Sequence, residues 1–229
     1  MQALEYLRTD PLLHMGMIVP IKRDTAQIIY ATQDGVCLLE TVSGAYMMSV
    51  TSQETGRALL AQLPSEGIFS FHQSFMLDDF KEKMRYSNLL ENYQAVYLSD
   101  EPLSVSCEIV IEPLTMSHFN VITDAYDVDV GADYLKKRML AKELFVGFVG
   151  SELVGFIGIH AEGSIGMLKV FDQHLGNGYG TALTAYAVNY QLAQGITPFE
   201  QVGVDNAASL AIARKLGFSI STNKVYWLF

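Results

Sequence analysis

Three glycines at alternating positions, Gly176, Gly178 and Gly180, form the segment of the chain best suited to chemistry. They follow a predicted strand over 165–171 and precede a predicted helix that runs to about 194. The first backbone N–H groups of a helix have no partner inside it and lie at the positive end of its dipole. Glycine keeps side chains away from such groups, so the loop predicts a cradle for pyrophosphate. The alternative is a tight strand-to-helix turn in which the glycines serve packing.

Two familiar phosphate-binding motifs do not fit this loop. A P-loop requires a lysine before the Ser or Thr that opens the helix, but Gly180 stands before Thr181. A dinucleotide-binding turn requires G-x-G-x-x-G after the first strand of a parallel βαβ unit. Here the spacing is G-x-G-x-G after a late strand, which disfavours NAD binding.

Hydrophobic patterning predicts the elements that position the loop. They are strand 105–112, a helix to about 125, helix 131–141, strands 143–149 and 153–160, strand 165–171, the helix to 194, strand 198–204, a short helix that Asn206 caps and Gly217 ends, and strands 218–221 and 225–229. The predicted order is therefore β-α-α-β-β-β-α-β-α-β-β.

Two segments resemble motifs of the GNAT superfamily of N-acyltransferases. V-F-D-Q-H-L-G-N-G-Y-G-T-A-L (170–183) looks like that family's acyl-CoA loop, and D-N-A-A-S-L-A-I-A-R-K-L-G-F (205–218) resembles its next motif. The resemblance covers about 105–229 and implies an α/β (α+β) fold, in which helices flank a mixed central sheet. The layout, a smaller α+β half followed by a GNAT-like half, is similar to the glycine-N-acyltransferase-like branch.

The resemblance implies a set of residues around acetyl-CoA, the acyl donor. Loop amides would hold the pyrophosphate, the strand before the loop would run beside the pantetheine arm, and the second motif would contact that arm. The residues so implied are Leu168, Val170, Leu175, Gly176, Asn177, Gly178, Tyr179, Gly180, Thr181, Asn206 and Ser209. Leu175 replaces the family's usual Arg or Gln, which would add a charge-assisted contact, and His174 is the neighbour that would compensate.

The second motif departs from the family at its catalytic position. Many members have a tyrosine seven residues after the asparagine, where it protonates the departing thiolate, but this chain has Ala213. Tyr226 in the last strand is the candidate replacement, and core packing is the alternative for it.

A primary amine must lose a proton before it attacks a thioester, and a carboxylate or histidine can take that proton. Glu162 and then His160 are the candidate bases, because they flank the turn before strand 165–171 near the expected acyl site. Glu200 and Asp205 come after them. Solvated turn residues are the alternative for Glu162 and His160.

The first hundred residues match no motif of comparable specificity. Patterning predicts a small α+β unit with strands 16–20, 26–31, 35–40, 44–50, 67–71 and 93–98 and helices 52–62 and 76–85. Polar residues 99–102 are the candidate linker. It divides the chain into an N-terminal domain over 1–102 and a GNAT-like domain over 103–229. We expect the N-terminal domain either to form one side of the acceptor site or to form a homodimer.

Composition limits the class of protein. Half of the 229 residues are hydrophobic and the formal charge is −10, which disfavours a disordered chain and a nucleic-acid partner. Two cysteines cannot form a disulfide framework, and no metal-ligand spacing surrounds them. Ser151 and Glu152 interrupt the apolar stretch 144–160, so we expect a buried hairpin rather than a membrane span. We expect a cytoplasmic protein without a metal, and no signal peptide is evident.

Two functions from different classes follow. The first is an N-acetyltransferase that moves an acetyl group from acetyl-CoA to a primary amine of a small molecule or amino acid by direct attack. The alternative is a catalytically degenerate acyl-CoA sensor or interaction module, which Leu175 and Ala213 favour.

Overall fold

The computed structural model describes residues 2–84, 88–104, 107–126 and 131–229. They form two compact units whose segments alternate along the chain. Unit 1 consists of Met1–Val96, Gln201–Leu210 and Ser219–Phe229, and unit 2 of Tyr97–Glu200 and Ala211–Phe218. The predicted division into domains 1–102 and 103–229 stays a prediction.

The order of helices and strands agrees with the order predicted from hydrophobic patterning over most of the chain. The elements are α1 (Gln2–Leu7), α2 (Met15–Lys22), β1 (Ala26–Thr32), β2 (Gly35–Glu40), β3 (Ala45–Val50), α3 (Gln53–Leu60), β4 (Ile68–Phe71), α4 (Leu77–Lys83), β5 (Leu89–Val96), β6 (Val110–Pro113), α5 (Met116–Ala125), α6 (Ala132–Leu140), β7 (Leu144–Val149), β8 (Glu152–Ile159), β9 (Ile165–Val170), α7 (Tyr179–Leu192), β10 (Phe199–Gly203), α8 (Ala207–Lys215) and β11 (Ser219–Leu228).

Unit 1 contains strands in the order β1-β2-β3-β4-β11-β5. β3 and β4 are parallel, and the other described pairs are antiparallel. The unit's core includes a stack of aromatic rings, in which Phe71 lies 4.1 Å from Phe80 and 5.1 Å from Tyr226 between ring centroids. The N-terminal α+β unit is therefore completed by the last strand of the chain.

Unit 2 contains β9, β8, β7 and β6, which pair in that order, and the first two residues of β10, which precede β9 in the sheet. β9 runs parallel to β10 where Ile165 faces Glu200, and its pairing with β8 is antiparallel. Helices α5 and α6 bury Phe119, Ile122 and Leu135 in a core that includes Phe156 of β8. The predicted α/β class with a mixed sheet is confirmed.

The predicted strand 16–20 is wrong, because these residues lie in helix α2. Met15 through Pro20 are all buried, so the segment is apolar on every side. Such a run has neither the period of a half-buried strand nor that of an amphipathic helix, and the pattern does not separate the two.

Four further elements differ from the prediction in extent. The strand predicted over 93–98 is β5, which begins at Leu89 and ends at Val96. The helix predicted over 76–85 is α4, and residue 85 lies outside the described residues.

The predicted strands 218–221 and 225–229 are one strand, β11, whose register against β5 shifts between Ile220 and Lys224. The strand predicted over 105–112 begins only at Val110, and residues 105 and 106 lie outside the described residues. Residues 144–160 form the β7–β8 hairpin as predicted, and none of the helices in the described ranges is long and apolar enough to cross a membrane.

The two cysteines differ in burial, which predicts different reactivity. Cys37 is fully buried in β2, and burial raises its pKa to about 12, whereas Cys107 is only partly buried. Because the thiolate is the reactive form, we expect one rapidly reacting thiol in the folded protein and two in denaturant, measured with a chromogenic disulfide. The Cys107→Ser variant should leave no rapidly reacting thiol, and fast reaction of that variant would contradict the burial of Cys37.

Candidate active site

The glycine loop turns the chain from β9 into α7. A single turn of 3-10 helix, Asp172–His174, follows β9, and Gly178 is the N-cap of α7. Gly176 and Gly178 have φ of +81° and +82°, a left-handed conformation that side chains make costly. A Cβ at either position would have no heavy atom within 4 Å, so the loop is open on that side.

Six consecutive backbone N–H groups, from Gly176 to Thr181, donate to no acceptor among residues 2–84, 88–104, 107–126 and 131–229. Their neighbours are paired: the Leu175 amide donates to the Asp172 carbonyl at 3.3 Å, and the Ala182 amide to the Gly178 carbonyl at 3.1 Å. These donors are therefore without an acceptor in the described part of the chain, at the positive end of a 14-residue helix and in a loop whose residues Gly176 to Gly178 are exposed. This is the arrangement that binds phosphate groups at helix N-termini.

Side chains around the loop hold its shape, and the position of the family's usual Arg or Gln is uncharged. The side-chain amide of Asn177 donates to the carbonyl of His174 at 3.1 Å, which ties the loop back on itself. Leu175 is 60% exposed and supplies no charge. His174, the predicted compensating residue, has Nε2 3.9 Å from a carboxylate oxygen of Glu152.

β9 contains a bulge between its first residues and the loop. Phe156 pairs with Lys169, and Gly158 pairs with Gly166. The two paired residues are two positions apart in β8 but three positions apart in β9, so β9 has one extra residue. Met167 has φ of +55°, which fits the bulge. Leu168 and Val170, the predicted neighbours of the pantetheine arm, follow it.

The bulge decides which side chains of β9 share a face. Phe156 and Gly158 are two residues apart in β8 and therefore face the same way. Their partners Lys169 and Gly166 then also share a face, although they are three residues apart. This face is covered by α5 and α6, since Phe156 and Met167 belong to the core that those helices form.

A cavity of about 450 Å³ opens on this face directly before the loop. Its walls come from α5, β8, the end of β9 and the first residues after it, and they are Val121, Ala125, Leu153, Lys169, Phe171, Asp172 and Gln173. Apolar carbons therefore line one part of the cavity, while charged and amide groups line the part next to the loop.

The two candidate bases lie in one polar cluster at the start of β9. The Ser164 hydroxyl donates to a carboxylate oxygen of Glu162, and both residues are buried. His160 is half-buried, and its Nδ1 lies 3.0 Å from the hydroxyl oxygen of Tyr134 in α6. Patterning places Glu162 and His160 at this turn. It does not identify Tyr134 as a site residue, because Tyr134 is simply one residue of the predicted helix 131–141.

Asn206 and Ser209 lie at the start of α8 in unit 1. The Asn206 side-chain oxygen accepts the Ser209 amide at 3.0 Å, which confirms the predicted helix cap. Asn206 is exposed and Ser209 half-buried, and their predicted contact with coenzyme A stays a prediction.

Tyr226 and Ala213 lie in the interior. Tyr226 is 5% exposed and stacks on Phe71 in the unit 1 core, and Ala213 is fully buried. The contacts of Tyr226 are those of a packing residue. Its predicted role as an acid rests only on the fact that it is a tyrosine.

Glu200 is buried in β10 opposite Ile165. Burial raises its pKa to about 8, so this carboxyl group carries its proton at neutral pH. A protonated carboxyl group is not a base, which disfavours Glu200 as the group that activates an amine.

Comparison with known proteins identifies the fold. Residues 145–228 match a family model described as FR47-like protein. A Drosophila protein of known structure has 14% sequence identity and a TM-score of 0.69, with 95% of this chain and 89% of that chain covered. A putative GNAT-family acetyltransferase from Novosphingobium aromaticivorans has 11% identity and a TM-score of 0.59, with 93% and 94% covered.

A GCN5-related N-acetyltransferase-like protein from Streptococcus suis has 12% identity and a TM-score of 0.57, with 100% of this chain and 99% of that chain covered. Among curated proteins, none matches the sequence. The chain therefore has the GNAT fold, as its motifs predict. The match to the FR47-like family model lies in the C-terminal half of the chain, over residues 145–228.

Two substitutions distinguish the capping role of Asn206 from its predicted contact with coenzyme A. Asn206→Ala removes the cap and should lower the free energy of unfolding by about 1 kcal/mol, whereas Asn206→Asp keeps an acceptor and should not. Urea denaturation measures both. If both variants keep wild-type affinity for acetyl-CoA in calorimetry, Asn206 serves the helix alone.

The raised pKa of Glu200 predicts a pH-dependent stability. The folded state holds this proton up to pH of about 8, whereas an unfolded carboxyl group loses it near the ordinary value of 4.5. The contribution of Glu200 is therefore complete below pH 4.5 and is lost as the pH rises towards 8. Glu200→Gln should remove a few kcal/mol of this pH dependence in chemical denaturation. An unchanged slope in the variant would contradict the assignment.

Proposed function

We propose that the protein is an acyl-CoA-dependent N-acyltransferase that moves an acetyl group from acetyl-CoA to a primary amine of a small molecule or amino acid. The observation that carries the proposal is the row of six N–H groups from Gly176 to Thr181 that have no acceptor among the described residues. A pyrophosphate is the part of coenzyme A with enough charge and enough acceptor oxygens to use them together.

The rest of the donor would then lie along β9. Leu168 and Val170 side chains come within 3.9 Å and 3.6 Å of the position that a Cβ on Gly180 would occupy, so the end of β9 and the start of α7 are neighbours. A pantetheine arm that leaves the loop therefore meets the main chain of β9 next to the bulge. Backbone N–H groups there would bind the arm and the thioester oxygen.

The reaction is a direct attack within a ternary complex. The amine nitrogen forms a bond to the acyl carbon, the carbon–sulfur bond breaks, and the thiolate leaves with the electron pair. Glu162 is the first candidate to take the proton that the amine loses, because its carboxylate is already oriented by Ser164. The thiolate needs no dedicated acid near neutral pH, since thiol pKa values are about 8.5.

A sensor or interaction module that binds acyl-CoA without turnover is the second candidate. Two observations favour it: Leu175 supplies no charge to the loop, and Ala213 is buried where many members have a tyrosine. Thiol release with any amine from a broad panel would exclude this function. Tight binding of acetyl-CoA without turnover across the same panel would favour it over the transferase.

Substitution of Gly178 tests the loop against a matched control. Gly178→Val places a β-branched residue at φ of +82° among the free N–H groups, and Gly195→Val introduces the same strain at φ of +70° just beyond the other end of α7. Neither position has a heavy atom within 4 Å of an added Cβ. Both variants should lose similar stability, but only Gly178→Val should lose acetyl-CoA binding by at least about tenfold in calorimetry.

The comparison has a clear contrary outcome. Equal acetyl-CoA affinity in the two variants would mean that the loop does not hold the pyrophosphate. Absence of binding to the wild-type protein at millimolar acetyl-CoA would overturn the proposed function itself.

A further inference from the structure

We propose that Tyr134 fixes neutral His160 in the form that carries its proton on Nε2, and that His160 uses this N–H to bind the acyl oxygen rather than acting as a base. The inference rests on the proposed function for the identity of the substrate. The state of the imidazole itself follows from hydrogen bonds inside unit 2.

The hydroxyl of Tyr134 has one proton and two contacts. The Ala161 backbone amide donates to the Tyr134 oxygen at 3.1 Å, so that contact uses a lone pair. The second contact is His160 Nδ1 at 3.0 Å. Tyr134 is half-buried, and His160 Nδ1 is the acceptor that the described residues place within reach of its hydroxyl proton. Tyr134 then donates to Nδ1, and Nδ1 of neutral His160 carries no proton of its own.

The surroundings of Tyr134 keep it in the donating form. Burial, and after it the negative charge of Glu162, raise the pKa of the Tyr134 hydroxyl above its ordinary value. The Arg138 guanidinium lies 5.9 Å from the centre of the ring and is paired with Glu143 at 2.5 Å, which holds that side of the ring in place. The Tyr134 hydroxyl therefore keeps its proton at pH values near neutrality and can donate it in a hydrogen bond to His160.

The other imidazole nitrogen lies against β9 at Gly166. A Cβ on Gly166 would come within 2.5 Å of His160 Nε2, so the glycine makes room for the ring edge. Among the described residues, Nε2 has no hydrogen-bond partner, and His160 is half-buried rather than enclosed. A neutral imidazole in this state offers an N–H donor, not a lone pair, to whatever binds there.

The donor lies on the face of β9 that also carries the cavity. Gly166 shares this face with Lys169 because of the bulge, and Lys169 lines the cavity. An acyl group placed beside the bulge would have its oxygen near Nε2–H. As the amine attacks, this oxygen gains negative charge and the hydrogen bond strengthens, while His160 keeps its proton.

Nitrogen NMR of the histidine side chains reports the protonated nitrogen directly and needs no ligand. We expect His160, identified through loss of its signals in His160→Gln, to carry its proton on Nε2 at a pH where the ring is neutral. Tyr134→Phe removes the donor and should populate the form protonated on Nδ1. Tyr190→Phe is the matched control, because the Tyr190 hydroxyl donates at 3.3 Å to the Lys142 carbonyl and not to a histidine.

Activity separates a donor from a base. His160→Gln keeps an N–H donor without a basic nitrogen and should retain more turnover than His160→Ala, for which we expect a loss of about a hundredfold. Tyr134→Phe should lower kcat roughly tenfold and leave acetyl-CoA affinity unchanged, since Tyr134 acts through His160 and is a positioning residue.

Each contrary outcome is distinct. A wild-type His160 protonated on Nδ1, or a Tyr134→Phe variant with an unchanged NMR state, would overturn the inference even in an active enzyme. Equal loss of turnover in His160→Gln and His160→Ala would overturn the role of His160 as an N–H donor. Failure of acetyl-CoA to bind would instead overturn the proposed function and leave the NMR result standing.

Discussion

The unpaired donors at the first turn of α7 are the constraint on which the candidate site depends. A helix leaves its first N–H groups without internal partners, and most proteins satisfy them with a capping side chain. This chain places Gly178 at the cap, where no side-chain cap bond forms. The two left-handed glycines then turn the chain so that the donors stay open. The loop therefore keeps an uncompensated positive end, which an anion would satisfy.

The candidate site also depends on the bulge in β9. Without it, residues 166 and 169 would lie on opposite faces of the strand, because side chains alternate. With it, the imidazole edge at Gly166 and the cavity wall at Lys169 lie on one face. His160 and its partner Tyr134 therefore lie on the same side of the sheet as the cavity.

The sequence predicts the loop, the cap at Asn206 and most elements, because each has a local cause: a helix start, an Asx acceptor or a hydrophobic period. It does not predict the bulge at Met167, since one extra residue in a strand leaves no local mark. It also does not predict the partnership of Tyr134 with His160, because these residues meet only through the packing of α6. Helix α2 is missed for a third reason, because an apolar run that is buried on every side has no period.

The position of β11 has a consequence for how the chain is made. This strand lies between β4 and β5 in unit 1, although almost the whole chain separates it from the strands that begin the unit. During synthesis, β4 and β5 emerge well over a hundred residues before their shared neighbour, and their facing edges stay unpaired for that interval. Exposed strand edges favour association with other chains. We therefore expect the N-terminal half to be prone to association with other chains until the final strand has been synthesised.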